Sequence, residues 1–386
     1  MRALPRTVAS ALLCAALILP CSACGPQKAP AADTTSHTST ATDTVAQTPP
    51  EDRLTADREA YLNTVTYRRF VLTGESEPYF VGRWFEKELN GIPHKVSLTD
   101  GAHLYFLIED ADAFDVSFTR ITLGEVPYFA YSIDGGEPVR QPITNPTVHL
   151  PDRGRHTVRI IADSTDSVPF KWDLELGYAL RSVTPSEGGR LVGIRPTERV
   201  IYFYGDSITQ GANSLGLDFT SHSNSVTHTY AWQCAEALGA TPHMVGYSGS
   251  GITAAGTFRT MLDAIDWFSQ SCPAEDPTPP DVIVINHGAN DSTVTGRQFI
   301  DALEPTLLRL RERYPDTPIV YLIPFGQIHT AAIKKTVKEL DHAYVVSTAD
   351  WELTYTDGAH PDAEGARRAG KRLAEELKKI FGEEYF

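Results

Sequence analysis

The stretch RVIYFYGDSITQG, residues 199–211, joins an apolar run to a serine. The run Val200–Tyr204 consists of residues that favour β-strands, and Gly205, Asp206 and Ser207 follow it at once. A serine in this place can cap a helix, which needs no further function, or it can present its hydroxyl to a substrate. The choice between the two interpretations depends on which other groups the chain brings to the same end of the strand.

The residues after about 196 alternate between short apolar runs and helical patterns. This alternation predicts an α/β domain with a parallel five-stranded sheet and helices on both faces. In such sheets the functional groups collect at the carboxyl ends of the strands, and Ser207 directly follows such an end. The predicted strands are Val200–Tyr204, His243–Gly246, Val282–Asn286, Ile319–Ile323 and Tyr344–Val346, and the predicted helices lie within 229–240, 295–315, 329–341 and 362–382.

Residues from about 64 to 185 show short alternating runs separated by turn residues, with no clear helix. The Asp134-Gly135-Gly136 sequence is a strong signal for a hairpin turn. Many short strands at this spacing predict an all-β sandwich, which can be purely structural or can bind sugars. The predicted strands lie within 94–100, 102–110, 115–123, 128–138, 146–152 and 156–164.

The N-terminus has the features of an export signal. Arg2 and Arg6 form a basic region, and Ala9–Leu19 is apolar but too short to span a bilayer stably. The Ser-Ala-Cys sequence that ends at Cys24 resembles a bacterial lipobox, although Cys21 stands where that pattern usually has leucine. We therefore expect a signal peptide over 1–23 and an exported, lipidated protein of the bacterial cell envelope. Ordinary cleavage and secretion are the alternative.

The following segment is rich in Thr, Ala, Ser and Pro and has almost no large apolar side chains. Such a composition cannot bury enough surface to offset its chain entropy. Residues 24–55 are therefore predicted to be a flexible linker between the lipidated Cys24 and the folded part. The lipid on Cys24 would then be the sole attachment of the chain to a membrane.

Composition narrows the classes of partner and of site. The length of 386 residues suggests two domains. The formal charge of −15 disfavours nucleic acid as a partner. Outside the leader, Cys234 and Cys272 remain, and an exported protein can join them in a disulfide or bury them as separate thiols. The histidines and cysteines show no recognised metal-ligand spacing, so we expect no metal.

A base for Ser207 is available near the C-terminus, in the sequence TDGAHPDAEG, residues 356–365. The imidazole of His360 can take the serine proton and later return it to a leaving alcohol. The carboxylate of Asp357 can accept a hydrogen bond from the other ring nitrogen and fix the tautomer. Taken alone, this pair is a weak signal and is better explained as part of a loop or a helix cap.

Donors for an oxyanion follow two other predicted strands. Asn290 stands beyond Val282–Asn286, where its amide can point at a developing negative charge or stabilise a turn. Gly249 and Gly251 follow the strand His243–Gly246, and their N–H groups can approach a ligand closely, although turn glycines need no function. The residues alone do not decide between the two glycines.

The sequences YGDSITQG, GYSGSG, HGAND and DGAHP occur here in the order of the four blocks of the SGNH (GDSL) hydrolase superfamily, which the chain therefore resembles. The resemblance implies a three-layer, flavodoxin-like α/β domain without a cofactor. It also implies that Ser207 is the nucleophile and an oxyanion donor, that Gly249 and Asn290 are the other donors, and that Asp357 and His360 complete a triad.

A narrower resemblance rests on the predicted sandwich before this domain, on FVGRWF at residues 80–85 and on GDSITQGA at 205–212. These features are similar to carbohydrate esterase family two, which removes O-acetyl groups from plant polysaccharides. The resemblance implies a jelly-roll-like sandwich domain over 56–190 and an SGNH hydrolase domain over 191–386. Trp351 and Tyr355, just before Asp357, can stack on a sugar or can pack the last loop.

The predicted function is thus that of an exported serine esterase acting on acetylated polysaccharide or oligosaccharide. A lipase or thioesterase on the same scaffold is one alternative. A surface protein that binds glycans without turnover is another. The polysaccharide, the acetyl position and the oligomeric state do not follow from the sequence.

Overall fold

The computed structural model describes residues 50–65, 69–165, 167–168, 170–276 and 278–386. The predicted signal peptide, Cys24 and most of the predicted linker lie outside these residues. Helix α1 (Pro50–Leu62) begins within the range expected to be linker. Proline at the first helical position and two acidic residues in the first turn favour this helix start. Leu62 is buried and Arg58 donates to Glu109 over 2.6 Å, so tertiary contacts hold α1 in place.

Twelve antiparallel strands follow in the described residues and form two sheets. The strands are β1 (Phe70–Leu72), β2 (Tyr79–Val81), β3 (Phe85–Leu89), β4 (Ile92–Ser97), β5 (His103–Glu109), β6 (Ala113–Ile121), β7 (Tyr128–Ile133), β8 (Val139–Pro142), β9 (Thr147–His149), β10 (His156–Ser164), β11 (Gly177–Pro185) and β12 (Arg190–Pro196). One sheet has the order β1-β12-β5-β10-β7-β8, with β2 also paired to β5, and the other sheet has the order β3-β4-β11-β6-β9.

The two sheets share one apolar core, to which both contribute alternate residues. Phe106, Phe129 and Val158 come from one sheet, and Phe114 and Leu180 come from the other. The predicted β-sandwich is confirmed. Strands β11 and β12 were not predicted individually, although β11 lies at the centre of its sheet. Since β12 pairs with β5, antiparallel pairing extends to residue 196, and the predicted domain boundaries stay predictions.

The second half of the chain forms a parallel sheet. Its strands are β13 (Val200–Gly205), β14 (Thr241–Gly246), β15 (Val282–Asn286), β16 (Ile319–Leu322) and β17 (Ala343–Val346), and the helices are α2 (Ser207–Gln210), α3 (Tyr230–Leu238), α4 (Met261–Asp266), α5 (Gly296–Arg313), α6 (Thr330–Lys338) and α7 (Ala363–Phe381). The strand order β14-β13-β15-β16-β17 is the flavodoxin-like order, and the predicted three-layer α/β architecture is confirmed. No helix among the described residues is both long and apolar enough to cross a membrane.

Of the two alternatives for Cys234 and Cys272, the structure shows separate thiols, because both are free. Cys234 lies on α3, within the core that covers one face of the parallel sheet together with Phe203. Cys272 lies in the loop after α4, and α4 packs on the opposite face, against Tyr202. The sheet therefore stands between the two cysteines, whereas a disulfide needs Cα atoms within about 7 Å.

Two buried arginines of the sandwich contact the α/β region. Arg159 of β10 donates to Glu236 over 2.6 Å, and its guanidinium lies 5.1 Å from the centre of the Trp232 ring on α3. Arg83, from the FVGRWF sequence, donates to the Ala264 carbonyl of α4 over 2.5 Å. These contacts tie the sandwich to helices on both sides of the parallel sheet.

Candidate active site

The strand β13 ends at a turn that leaves no room for a side chain. A Cβ atom added at Gly205 would lie 1.9 Å from Thr209 Oγ1, so glycine is required there. Asp206 caps the short helix α2, since its Oδ1 accepts from the Ile208 N–H over 3.0 Å. Ser207 starts α2 and is the first residue after the buried strand that is partly exposed. The turn therefore presents the Ser207 hydroxyl at the carboxyl edge of the sheet.

The structure brings Ser207, His360 and Asp357 together, although 153 residues separate the serine from the histidine. His360 Nε2 is 2.8 Å from Ser207 Oγ, and His360 Nδ1 is 2.7 Å from Asp357 Oδ2. The His360 and Asp357 side chains are 12% and 22% exposed, so solvent reaches both. The three groups have the geometry of a nucleophile, a base and an orienting carboxylate.

The hydrogen bonds fix where the proton of His360 sits. A carboxylate only accepts, so Nδ1–H donates to Asp357 and Nε2 is left to accept the Ser207 hydroxyl proton. Partial burial alone would raise the pKa of Asp357. The N–H of His360, the Asn213 amide and the N–H of Ala359 outweigh it and hold that pKa well below its usual range. Asp357 is therefore ionised wherever His360 can act as a base.

The two strands next to β13 bring the predicted oxyanion donors to the same edge of the sheet. In the described part of the chain, the N–H groups of Ser207, Gly249 and Gly251 have no protein acceptor. The Asn290 amide donates to the Ser250 carbonyl over 2.9 Å, which links the two donor segments through the residue between the glycines. Since both glycine N–H groups are available, the choice between Gly249 and Gly251 stays open.

A buried carboxyl group lies directly beside the serine. Burial, together with a smaller contribution from the charge of Asp291, raises the pKa of Asp206 to about 7 against the lowering effect of the Ile208 N–H. Within the described residues, Asp206 Oδ2 has no hydrogen-bond partner. By contrast, Asp291 accepts from the N–H groups of Ile252 and Thr253 over 2.9 and 2.8 Å. The folded protein thus holds a proton on Asp206 that the unfolded chain releases at lower pH.

Replacing Asp206 with asparagine should make stability less dependent on pH. Between about pH 4 and 7 the wild-type folded state keeps a proton that the unfolded state has lost, so its stability falls as the pH rises. Asp206→Asn keeps the capping oxygen and cannot ionise. Each tenfold change in proton affinity is worth about 1.4 kcal/mol, so the gain over wild type should reach the order of 4 kcal/mol near pH 7 and then level off. Thermal unfolding of both proteins at pH 4 to 8 measures this gain in stability.

The matched control for this substitution is Asp301→Asn on α5, whose carboxylate is 51% exposed and pairs with Arg297 over 2.9 Å. Its unfolding temperature should follow that of wild type at every pH. A difference between Asp206→Asn and wild type that stays constant from pH 4 to 8 would contradict the raised pKa.

The two aromatic residues predicted to contact substrate have different surroundings. Trp351 is 4% exposed and packs in the core under β13, with its ring 6.1 Å from that of Phe325. The Trp351 ring therefore offers no free face to a sugar, and of the two alternatives given for this residue it packs the last loop. Tyr355 is half-buried against the same core and pairs with Pro361 in an isolated bridge.

Two residues of the site were missed from the sequence. Asn213 donates to Asp357 Oδ2 over 2.9 Å, and the Phe219 ring lies edge-on to the His360 ring at 5.4 Å between centres. Both belong to the loop 213–224, which follows α2. An asparagine soon after the serine was a visible signal, but nothing in its surroundings pointed to a contact 144 residues away.

Comparison with known proteins finds that part of this chain is similar to acyl hydrolases. Residues 203–368 match the GDSL-like Lipase/Acylhydrolase family. A 152-residue segment, 34% of this chain, is 30% identical to the cellulase/esterase CelE of Acetivibrio thermocellus. The match spans 18% of that larger protein.

Solved structures share the fold over most of the chain. A family two carbohydrate esterase from Clostridium thermocellum, in complex with cellohexaose, superposes with a TM-score of 0.66 and 22% identity, over 79% of this chain and 99% of that one. An acetyl xylan esterase from the rumen bacterium Butyrivibrio proteoclasticus superposes with a TM-score of 0.63 and 15% identity, over 82% of this chain and 99% of that one. The shared fold includes the sandwich as well as the parallel sheet.

Proposed function

We propose, from the match of residues 203–368 to the GDSL-like lipase/acylhydrolase family, that the protein is a serine esterase that removes O-acetyl groups from polysaccharide. The observation that carries the proposal is the 2.8 Å contact between Ser207 Oγ and His360 Nε2, with Asp357 on the other ring nitrogen. A serine that served only as a helix cap would need neither partner.

The reaction proceeds in two acyl-transfer steps. Ser207 Oγ attacks the acetyl carbonyl carbon while His360 Nε2 takes the hydroxyl proton, and Asp357 stabilises the imidazolium. The N–H groups of Ser207 and of Gly249 or Gly251, with the Asn290 amide, stabilise the oxyanion. The bond between the acyl carbon and the sugar oxygen then breaks, and His360 returns the proton to that oxygen.

Water completes the cycle. It attacks the acetyl-serine ester while His360 again takes a proton, and collapse of the second tetrahedral intermediate releases acetate and restores the serine. The chain's own residues supply every proton transfer in this scheme, so the proposal includes no cofactor.

A carbohydrate ester is the substrate that the comparisons favour. The structural relatives include a family two carbohydrate esterase and an acetyl xylan esterase, and the fold that they share with this chain includes the sandwich. The site lies at the carboxyl edge of the sheet, where a polymer has access, and the acidic chain suits a neutral glycan better than an anionic one. Export, with a lipid on Cys24, is proposed from the leader sequence alone.

The length of the acyl chain separates a deacetylase from a lipase or thioesterase. On 4-nitrophenyl acetate, butyrate and octanoate we expect kcat/KM to fall by about tenfold or more from acetate to butyrate, because an acetyl-sized pocket excludes added methylenes. Acetate release from acetylated xylan and glucomannan should accompany the activity on aryl acetate. Equal or higher rates on octanoate would favour the lipase alternative, and sugar affinity without turnover of any ester would favour a binding protein.

A further inference from the structure

Asn213 connects the catalytic carboxylate to a surface loop. The residue is fully buried in a left-handed conformation, with φ of 54°, just after α2. Its Nδ2 donates to Asp357 Oδ2 over 2.9 Å, and its Oδ1 accepts from the Phe219 N–H over 2.8 Å. One side chain thus joins the triad to the loop 213–224.

The donor end of Asn213 restrains the carboxylate on the side that matters for catalysis. Asp357 Oδ1 accepts from the N–H groups of Ala359 and His360, over 3.0 and 2.8 Å. Asp357 Oδ2, which also accepts from His360 Nδ1, receives Asn213 as its second donor. Without that donor the oxygen that orients the imidazole loses one of its two hydrogen bonds.

The acceptor end of Asn213 holds an exposed aromatic residue beside the base. Phe219 is 47% exposed, although its φ of 56° is a left-handed conformation that is unfavourable for a non-glycine residue. Its ring lies 5.4 Å from that of His360. Strained residues that the structure holds in place are typical of functional sites, and an exposed ring next to the base meets the alcohol side of a bound ester.

The sandwich holds the far end of this loop. Arg140 of β8 donates to the carbonyl of Asn224 over 2.7 Å and to that of His222 over 3.1 Å. It also donates to the Ser221 carbonyl and pairs with the buried Asp163. Fixed at both ends, the loop presents Phe219 in one place, which reduces the entropy lost when substrate binds.

We propose that Asn213 is a positioning residue that couples Asp357 to Phe219, and that Phe219 binds the sugar ring of the ester on its leaving-alcohol side. The inference rests on the proposed esterase function and goes further, since it names the residue that recognises the alcohol and the side chain that aligns it with the triad.

Two substitutions at Asn213 test the positioning role. Asn213→Asp keeps the oxygen that holds Phe219 and replaces the donor to Asp357 with an oxygen that repels it. Asn213→Gly removes both ends and tolerates the left-handed backbone. On ethyl acetate, whose small alcohol does not reach Phe219, both should lower kcat by about 10- to 100-fold with KM within twofold of wild type. The control is Asn145→Asp, the same change at an exposed residue of the sandwich whose amide donates to Gln141 over 3.4 Å. It should leave kcat on ethyl acetate within twofold of wild type.

Phe219→Ala tests the binding role. It should raise KM for an acetylated xylo-oligosaccharide by about tenfold and change KM for ethyl acetate much less, because ethyl acetate has no sugar ring for Phe219 to contact. Leu217→Ala is the matched control, since Leu217 is 67% exposed on the same loop. It should match wild type on both substrates.

The outcomes separate this inference from the proposed function. A wild-type protein that hydrolyses no ester overturns both. An active wild type with unchanged kcat in both Asn213 variants overturns the positioning role alone. An unchanged oligosaccharide KM in Phe219→Ala overturns the assignment of the sugar contact.

Discussion

Ser207→Ala should lower kcat on 4-nitrophenyl acetate by roughly four to six orders of magnitude, because no other group at the site can form the acyl-enzyme. The neighbouring contacts do not depend on the hydroxyl. The backbone oxygen of Ser207 still accepts from the Gly211 N–H, and Asp206 still caps α2. The unfolding temperature should therefore stay within a few degrees of that of wild type.

A double variant distinguishes a triad from a set of independent contributions. His360→Ala should cost about as much as Ser207→Ala, and the two together should cost no more than either alone, because the residues act as a unit. Burst kinetics and mass spectrometry should find an acetyl group on wild-type Ser207 and none on Ser207→Ala. Wild-type turnover in Ser207→Ala would eliminate the mechanism.

Arg83→Met should be the most destabilising single change that we predict. The guanidinium is 1% exposed, and its Nε lies 3.3 Å from Oδ1 of the equally buried Asp276. Asp276 also accepts from the Tyr314 hydroxyl over 3.0 Å. Removing Arg83 leaves Asp276 with the more exposed Arg313, 3.3 Å away, as its remaining arginine partner, and breaking a buried ion pair typically costs about 3–5 kcal/mol. Arg83 further supports the end of α4, through the carbonyls of Ala264 and Trp267.

The pH dependence of this loss has a definite sign. Burial would raise the pKa of Asp276, but the charge of Arg83, and then His243, holds it well below its usual range. The stability that this carboxylate contributes is present at neutral pH and is lost in strong acid. The free-energy difference between Arg83→Met and wild type, from urea unfolding, should therefore persist from pH 7 to pH 4 and become smaller only below about pH 4, where the carboxyl group of the unfolded chain takes up a proton.

The control for Arg83→Met is Arg297→Met on α5, whose side chain is 78% exposed. Surface ion pairs contribute about 0–1 kcal/mol, so this variant should unfold close to wild type. Equal losses in the two variants, or no loss in Arg83→Met, would contradict the assigned role of the buried pair.

Much of the fold could be predicted from local patterns. The five parallel strands were all predicted from apolar runs, because a strand covered by helices on both faces has to be apolar throughout. Prediction was less complete in the sandwich. Strand β11 is central to its sheet, yet Arg181 and Ser182 lie exposed next to each other in it, which interrupts the alternation of apolar and polar residues. The short strands β1 and β2, of three residues each, were too short to show a pattern.

The residues of the candidate site also fall into two groups, those that the sequence indicated and those that it did not. Ser207, Asp357, His360 and Asn290 were found because each stands in a short motif just beyond a strand or before a helix. Asn213, Phe219 and Arg83 were missed or left without a role, because their partners come from distant segments. The same limitation left the state of the two cysteines open, since counting cysteines ignores the sheet that lies between them.

By itself the sequence determined the order of the five parallel strands along the chain, the turn that exposes Ser207 and the residue types able to act on an ester, since all three depend on neighbours within a few positions. Only the tertiary structure decided that Trp351 is core, that Cys234 and Cys272 stay apart and that a sandwich arginine holds a loop beside the base. These outcomes depend on contacts such as Asn213 with Asp357 and Arg83 with Asp276, which span 144 and 193 residues. Contacts of that range exist only after the layers have packed, so no local pattern encodes them.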